Sequence, residues 1–108
     1  MTDLPVPSAA GAFVQLIEFR AEHPEAMEPI LKRWLSAIGA QRTARWYITA
    51  ADRGLPNTFV QLVEFPSHAA AAANSDHPAT AQFAAELRAA SSQEVTFRDL
   101  DVVTAARL

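Results

Sequence analysis

The chain has 108 residues, a net charge of −3 and no cysteine, which fits one domain and excludes a disulfide-stapled scaffold. Half of the residues are hydrophobic, and although 23 of them are alanine, 31 larger apolar side chains remain, enough for a core and too many for a disordered segment. The acidic balance argues against a nucleic-acid partner, which needs a basic face, and three glycines, Gly11, Gly39 and Gly54, cannot build a phosphate-cradling loop.

Residues 1–11 carry Asp3 and two prolines and no basic segment leading into an apolar stretch, so they are expected to form a flexible arm. No run approaches the roughly 18 apolar residues of a membrane span. The expectation is a cytoplasmic protein with no membrane partner. Neither a GxSxG nor an HExxH motif is present.

An internal repeat then organises the chain. Phe13-Val14-Gln15-Leu16-Ile17-Glu18-Phe19 recurs as Phe59-Val60-Gln61-Leu62-Val63-Glu64-Phe65, identical at six of seven positions. Each copy is rich in aromatic and branched side chains and too short for a helix, so each reads as a strand. Each is followed by a helical stretch and a second strand-like run.

The first helix is predicted over residues 25–38. Met27, Ile30, Leu31, Trp34, Leu35 and Ile38 form one apolar stripe at helical period. Pro24 suits its start, Glu28 and Lys32 form an i,i+4 pair, and Gly39 is a natural stop. Pro29 is compatible only with a late helix start. The second strand is predicted over 43–50, followed by a Gly/Pro/Asn/Asp-rich turn at 51–57.

After the third strand, Ser67 can cap a short alanine-rich turn over 69–73. The stretch 74–78 should break the period, because the residue before a proline avoids helical backbone. A new helix starts at Pro78, with Asp76 or His77 at its cap and Thr80, Phe83, Ala84 and Leu87 as its inward stripe. The last strand is predicted over about 95–103, and 104–108 are expected to be a loose tail. The result is an α+β, ferredoxin-like β-α-β-β-α-β domain over 12–103: a four-stranded antiparallel sheet with its helices on one face.

Such a sheet normally alternates apolar-in and polar-out, and these strands do not. Val14 and Leu16 lie on one face, and Phe13, Ile17 and Phe19 on the other; the third strand repeats the arrangement. Two helices cover one face only, so the other predicts a second copy of the chain, related by a two-fold axis.

The strand-helix order, the apolar back face, the Glu64–Ser67 turn and the stretch from His77 through Thr80 to Phe83 resemble the dimeric α/β-barrel superfamily, in its antibiotic-biosynthesis-monooxygenase-like branch. The resemblance covers about residues 12–103. It implies a homodimer whose sheets pack face to face, with a pocket in each subunit between sheet and helices. It also implies a range of activities, among them cofactor-free oxygenases of aromatic polyketides, haem-degrading enzymes and cyclases. The haem-degrading branch uses an asparagine, a tryptophan and a histidine iron ligand where this chain has Gln15, Phe65 and Phe83. Phenylalanine cannot ligate iron, so no haem and no other cofactor is expected.

Candidate site residues follow from position. Gln15 and Gln61 share a strand face with Phe13, Phe19, Phe59 and Phe65, and could orient a ligand carbonyl or phenol, or satisfy one another as buried amides. His77, at the helix break, could serve as a general base or only as a helix cap. Trp46 and Tyr47 are adjacent on the second strand and so point to opposite faces; either could stack on an aromatic ligand or simply pack. Phe83 belongs to the inward stripe of the second long helix. Arg42 and Arg45 could bind a carboxylate or phenolate, or pair with Glu18 or Glu64. His68, Asp76 and His77 match no compact metal site, so no metal is expected.

The catalytic candidates are therefore His77 and Gln15, and the substrate-binding candidates are Phe13, Tyr47, Trp46, Gln61, Phe65 and Phe83. The expected function is that of a small dimeric protein with an aromatic-lined pocket, acting as a cofactor-independent monooxygenase or cyclase on aromatic or polyketide-like substrates. The alternatives are non-catalytic binding of a small apolar ligand, or a structural protein with a filled interior. A cavity of roughly 300 Å³ or more separates the first two from the last.

Overall fold

The computed structural model describes residues 12–106; the predicted arm over 1–11 lies outside them. Four strands form one antiparallel sheet in the order β2-β3-β1-β4: β1 (Phe13–Arg20), β2 (Trp46–Ala51), β3 (Thr58–Phe65) and β4 (Thr96–Asp101). Three helices complete the fold, α1 (Met27–Ile38), α2 (His68–Asp76) and α3 (Pro78–Ala90). This is the ferredoxin-like α+β arrangement the repeat predicts.

The two repeat copies are the two central strands, and they pair with one another. The register is Phe13↔Phe65, Gln15↔Val63, Ile17↔Gln61 and Phe19↔Phe59, with Leu16 opposite Leu62. The middle residue of one copy thus faces the middle residue of the other, so the pair has a local pseudo-two-fold axis through that rung. Because side chains alternate along a strand, the odd-numbered residues of both copies share the face that carries the helices.

That face buries two separate apolar clusters. Phe13 and Phe65 pack with Trp34 and Ile38 of α1, and with Ala71 and Ala79. Ile17 and Phe19 pack with Leu87 of α3 and with Ala21 and Val95. Between the clusters stand Gln15 and Gln61. The opposite, helix-free face presents Val14, Leu16, Val60 and Leu62 on the central strands, with Ile48 on β2 and Leu100 on β4.

The helices start and stop where local chemistry requires. A 3₁₀ turn over Pro24–Ala26 precedes α1, so α1 begins at Met27 and Pro29 falls in its first turn, where no intrahelical amide bond is lost. Gly39 ends α1 at a φ of 53°, a left-handed conformation that glycine adopts without a Cβ penalty. Helices α1 and α3 are tied by Trp34 Nε1 donating to Thr80 Oγ1 at 3.0 Å and by an Arg33–Glu86 ion pair at 3.0 Å.

One element is longer than expected. Ser67 caps α2 through its hydroxyl oxygen, which accepts from Ala70 N at 3.1 Å, but the helix continues through Asp76 instead of breaking at 74. The reason is tertiary. Asn74 is buried and its Oδ1 accepts from Thr43 N at 3.2 Å, while Thr43 Oγ1 donates to the Ala70 carbonyl at 2.6 Å. These two bonds tie α2, at Ala70 in its first turn and at Asn74 in its last, to the segment leading into β2, against the weak intrinsic helix preference of asparagine and serine. That segment is in turn not a strand before Trp46.

Leu87 is 2% exposed and anchors α3 on the second cluster. Leu87→Ala should lower the unfolding free energy by about 2–5 kcal/mol, measured by urea denaturation. A loss well under about 1 kcal/mol would mean that α3 does not seat on Ile17 and Phe19.

Candidate functional site

Splitting the core around two glutamines leaves space. A cavity of about 500 Å³ lies between the sheet and the helices, within the usual range for small-molecule sites. Its floor is the sheet: Gln15 and Ile17 of β1, Gln61, Val63 and Phe65 of β3, Tyr47 of β2 and Phe97 of β4. Its roof is Leu31, Trp34 and Leu35 of α1 with Thr80, Phe83 and Ala84 of α3. Asn74 and Ser75 reach it from the end of α2.

The glutamines are held by their cross-strand neighbours and not by each other. Gln15 lies opposite Asp99 in the β1–β4 register, and its Nε2 donates to Asp99 Oδ1 at 3.5 Å, a long bond. With the amide nitrogen turned to Asp99, the Gln15 carbonyl oxygen is left as the group able to accept from a ligand. Gln61 lies opposite Thr49, and its Nε2 donates to Thr49 Oγ1 at 3.4 Å.

Most of the residues singled out from the sequence converge here. Gln15, Gln61, Trp46, Tyr47, Phe65 and Phe83 all border the cavity. Trp46 and Tyr47 alternate across the sheet, yet both reach it, because β2 is an edge strand and the cavity extends past its start along Arg42, Ala44 and Arg45. The Trp46 indole N–H is buried with no hydrogen-bond partner among the described residues.

Two candidates lie elsewhere. Phe13 is not part of the cavity wall: it is 4% exposed and fills the end of the sheet against Phe65, at 6.2 Å between ring centroids, and the edge of His68 at 5.2 Å. His77 does not border the cavity either. Its Nδ1 accepts from Ala79 N at 3.0 Å, making it the N-cap of α3, and its Nε2 bonds Gln41 Oε1. Both ring nitrogens are thus engaged by protein partners, and the side chain caps α3.

Arg45 pairs with Glu64 at 3.5 Å, where the glutamate is fully buried between Val14 and Trp46 in the register, whereas the equivalent Glu18 is exposed. The remaining wall residues include Arg88 and Phe97, which sequence reasoning did not select. Arg88 lies over the Phe97 ring at 5.7 Å. The signal for Arg88 was the spacing Ala81, Ala84, Arg88, two small side chains and a long one on one helical face. Among the described residues no group of three or more His, Asp or Glu side chains is placed to hold a metal ion.

The split βαβ sheet with a cavity beneath its helices is the fold of the antibiotic-biosynthesis-monooxygenase-like proteins. A variant of SnoaB, a cofactor-independent oxygenase from Streptomyces nogalater, superposes with a TM-score of 0.72 at 18% identity, covering 86% of this chain and 94% of that one. A protein described as an antibiotic biosynthesis monooxygenase gives 0.65 at 18% identity over 86% and 99% of the two chains. Rv0793 from Mycobacterium tuberculosis gives 0.69 at 15% identity over 89% and 99%. No family model matches the chain, and no curated protein matches it by sequence. At these identities the likeness establishes the fold. No helix among the described residues is long and apolar enough to cross a membrane.

Replacing the cap should separate stability from the site. His77→Ala should cost about 0.5–2 kcal/mol of unfolding free energy, measured by urea denaturation, and leave the affinity of a cavity-bound aromatic dye unchanged. A weakened dye affinity in a folded variant would return His77 to the site.

Proposed function

We propose that this chain binds a small aromatic or polyketide-like molecule in the cavity between its sheet and helices, and acts on it as a cofactor-independent oxygenase or cyclase. The observation that carries the reading is the wall itself: aromatic side chains surround two glutamine amides in a space of about 500 Å³. That volume also argues against a filled, purely structural interior. SnoaB, of the same fold, is a cofactor-independent oxygenase.

The chemistry available to the chain is positional. In oxygenation of an activated ring methylene, CH₂ and O₂ become C=O and H₂O, and the substrate itself supplies the electrons. The protein then has to hold the ring, accept hydrogen bonds from its hydroxyl groups and stabilise the anion formed when it loses a proton. Gln15 Oε1 and the Tyr47 hydroxyl suit the first two tasks. Among the described residues neither a histidine nor a carboxylate borders the cavity, which favours substrates acidic enough to ionise readily. The same observation supports non-catalytic binding as the second reading.

The helix-free face belongs to the same proposal. Val14, Leu16, Ile48, Val60, Leu62 and Leu100 form an apolar surface on a sheet whose helices lie opposite, and a second copy of the sheet would cover it by self-complementarity.

With an anthrone or quinol substrate the protein should consume oxygen, and Gln15→Ala should lower the rate about tenfold or more, the effect of losing one well-placed hydrogen bond. Binding of the substrate without oxygen uptake would favour the second reading. Light scattering at micromolar concentration should give the mass of a dimer, and Leu62→Glu should give a monomer; a monomeric mass for the unaltered protein rules out the two-fold sheet packing.

A further inference from the structure

The charge on the cavity wall is opposite in sign to that of the chain. The chain carries 12 acidic and 9 basic residues, yet among the described residues the wall contains Arg42, Arg45 and Arg88 and no aspartate or glutamate, the Asp99 carboxylate lying behind it on Gln15 at 3.5 Å. Arg45 is compensated by Glu64. The other two are not: among the described residues neither Arg42 nor Arg88 makes a salt bridge.

Each guanidinium is nevertheless held in place. Arg42 Nε donates to the Ala44 carbonyl at 3.1 Å, which anchors the near side of the fork and leaves the terminal Nη donors for a ligand. Arg88 rests on the Phe97 ring at 5.7 Å, which orients its plane and leaves its edge donors available. The two approach the cavity from opposite sides, one from the segment before edge strand β2, the other above edge strand β4. Both side chains are exposed, so the two cations stand at the solvent-facing edge of a largely apolar space and place positive charge at its mouth.

We propose that the ligand of this cavity is an anionic aromatic compound, bearing a carboxylate or an ionised phenol, and that Arg42 and Arg88 select its charge. This rests on the cavity being a small-ligand site and specifies what that ligand carries. The aromatic wall binds the ring system and the arginines discriminate between the ionised compound and a neutral one of the same shape. A neutral aromatic would leave both guanidiniums without a partner on the ligand side.

A matched pair of fluorescent probes tests this on the intact protein. 1-Anilinonaphthalene-8-sulfonate carries one anionic group, and N-phenyl-1-naphthylamine has the same ring body without it. Both should bind. The double variant Arg42→Gln, Arg88→Gln should weaken the anionic probe about tenfold or more, as expected for loss of charge-assisted hydrogen bonds, and leave the neutral probe within about twofold. The single variants show which end holds the anion. In the unaltered protein, raising the salt concentration should weaken the anionic probe alone, which reads the same charge selection without any substitution. If both probes bind and neither salt nor the double variant separates them, the charge selection is wrong and the aromatic cavity stands. If neither probe binds the folded protein, both this inference and the small-ligand reading fail.

Discussion

The antiparallel register of β1 on β3 is the constraint from which the rest of the structure follows. A seven-residue segment and its copy pair about their own middle residues, so Phe13 meets Phe65 at one end and Phe19 meets Phe59 at the other. The phenylalanines that open and close each copy therefore gather into two separate groups on the helix side. The third residue of each copy, Gln15 or Gln61, falls one rung from the centre. A slip of one residue would send all of these side chains to the opposite face. A slip of two would keep the face but set Gln15 level with Gln61, and Phe13 would no longer meet Phe65.

The cavity is a consequence of that arrangement. Helix α1 seats on the Phe13–Phe65 end and α3 reaches the Ile17–Phe19 end, and Phe83 spans both. Nothing apolar rises from the sheet between them at the two glutamine positions. Dehydrating an amide without a partner costs about 1–3 kcal/mol, so Thr49 offsets the burial of Gln61, while half-buried Gln15 pairs with exposed Asp99. Each partner lies directly across the strand from its glutamine. The site is thus built on four adjacent strands rather than on loops, where geometry is better held.

The fold was legible because its information is periodic. The repeat, the α1 stripe and the proline after His77 each follow from spacing along the chain, and each element lies within a few residues of where spacing puts it. What escaped was set by neighbours distant in sequence. Asn74 stays helical because Thr43 bonds its side chain, a contact across 31 residues that no local pattern carries. Phe13 and Phe65 sit on one face and on the same rung, but only Phe65 borders the cavity. Which of two aligned phenylalanines closes a core and which lines a space depends on where Trp34 and His68 come down on them. His77 is a further case: a histidine before a proline reads from sequence as a base, a solvated loop residue or a cap, and only the fold shows its Nδ1 accepting from the Ala79 amide.

The separation of charge inside this small domain sets how a ligand would be recognised. Asp99 and Glu64 stand behind the wall on Gln15 and Arg45, while much of the acidic excess lies on outward-facing positions such as Glu22, Glu25, Glu28 and Glu94. At physiological ionic strength the field of those exposed charges decays over about 8 Å, so a net charge of −3 exerts little long-range repulsion on an approaching anion. Arg42 and Arg88 are themselves exposed, so their pull on an anion is screened as well and acts at contact distance. Recognition of an anion by this protein is therefore a contact effect, read at Arg42 and Arg88 after encounter, and not a steering effect of the whole molecule. The glutamines complement this: an amide does not titrate, so its capacity to hydrogen-bond the ring is the same across the pH range in which such a ligand ionises.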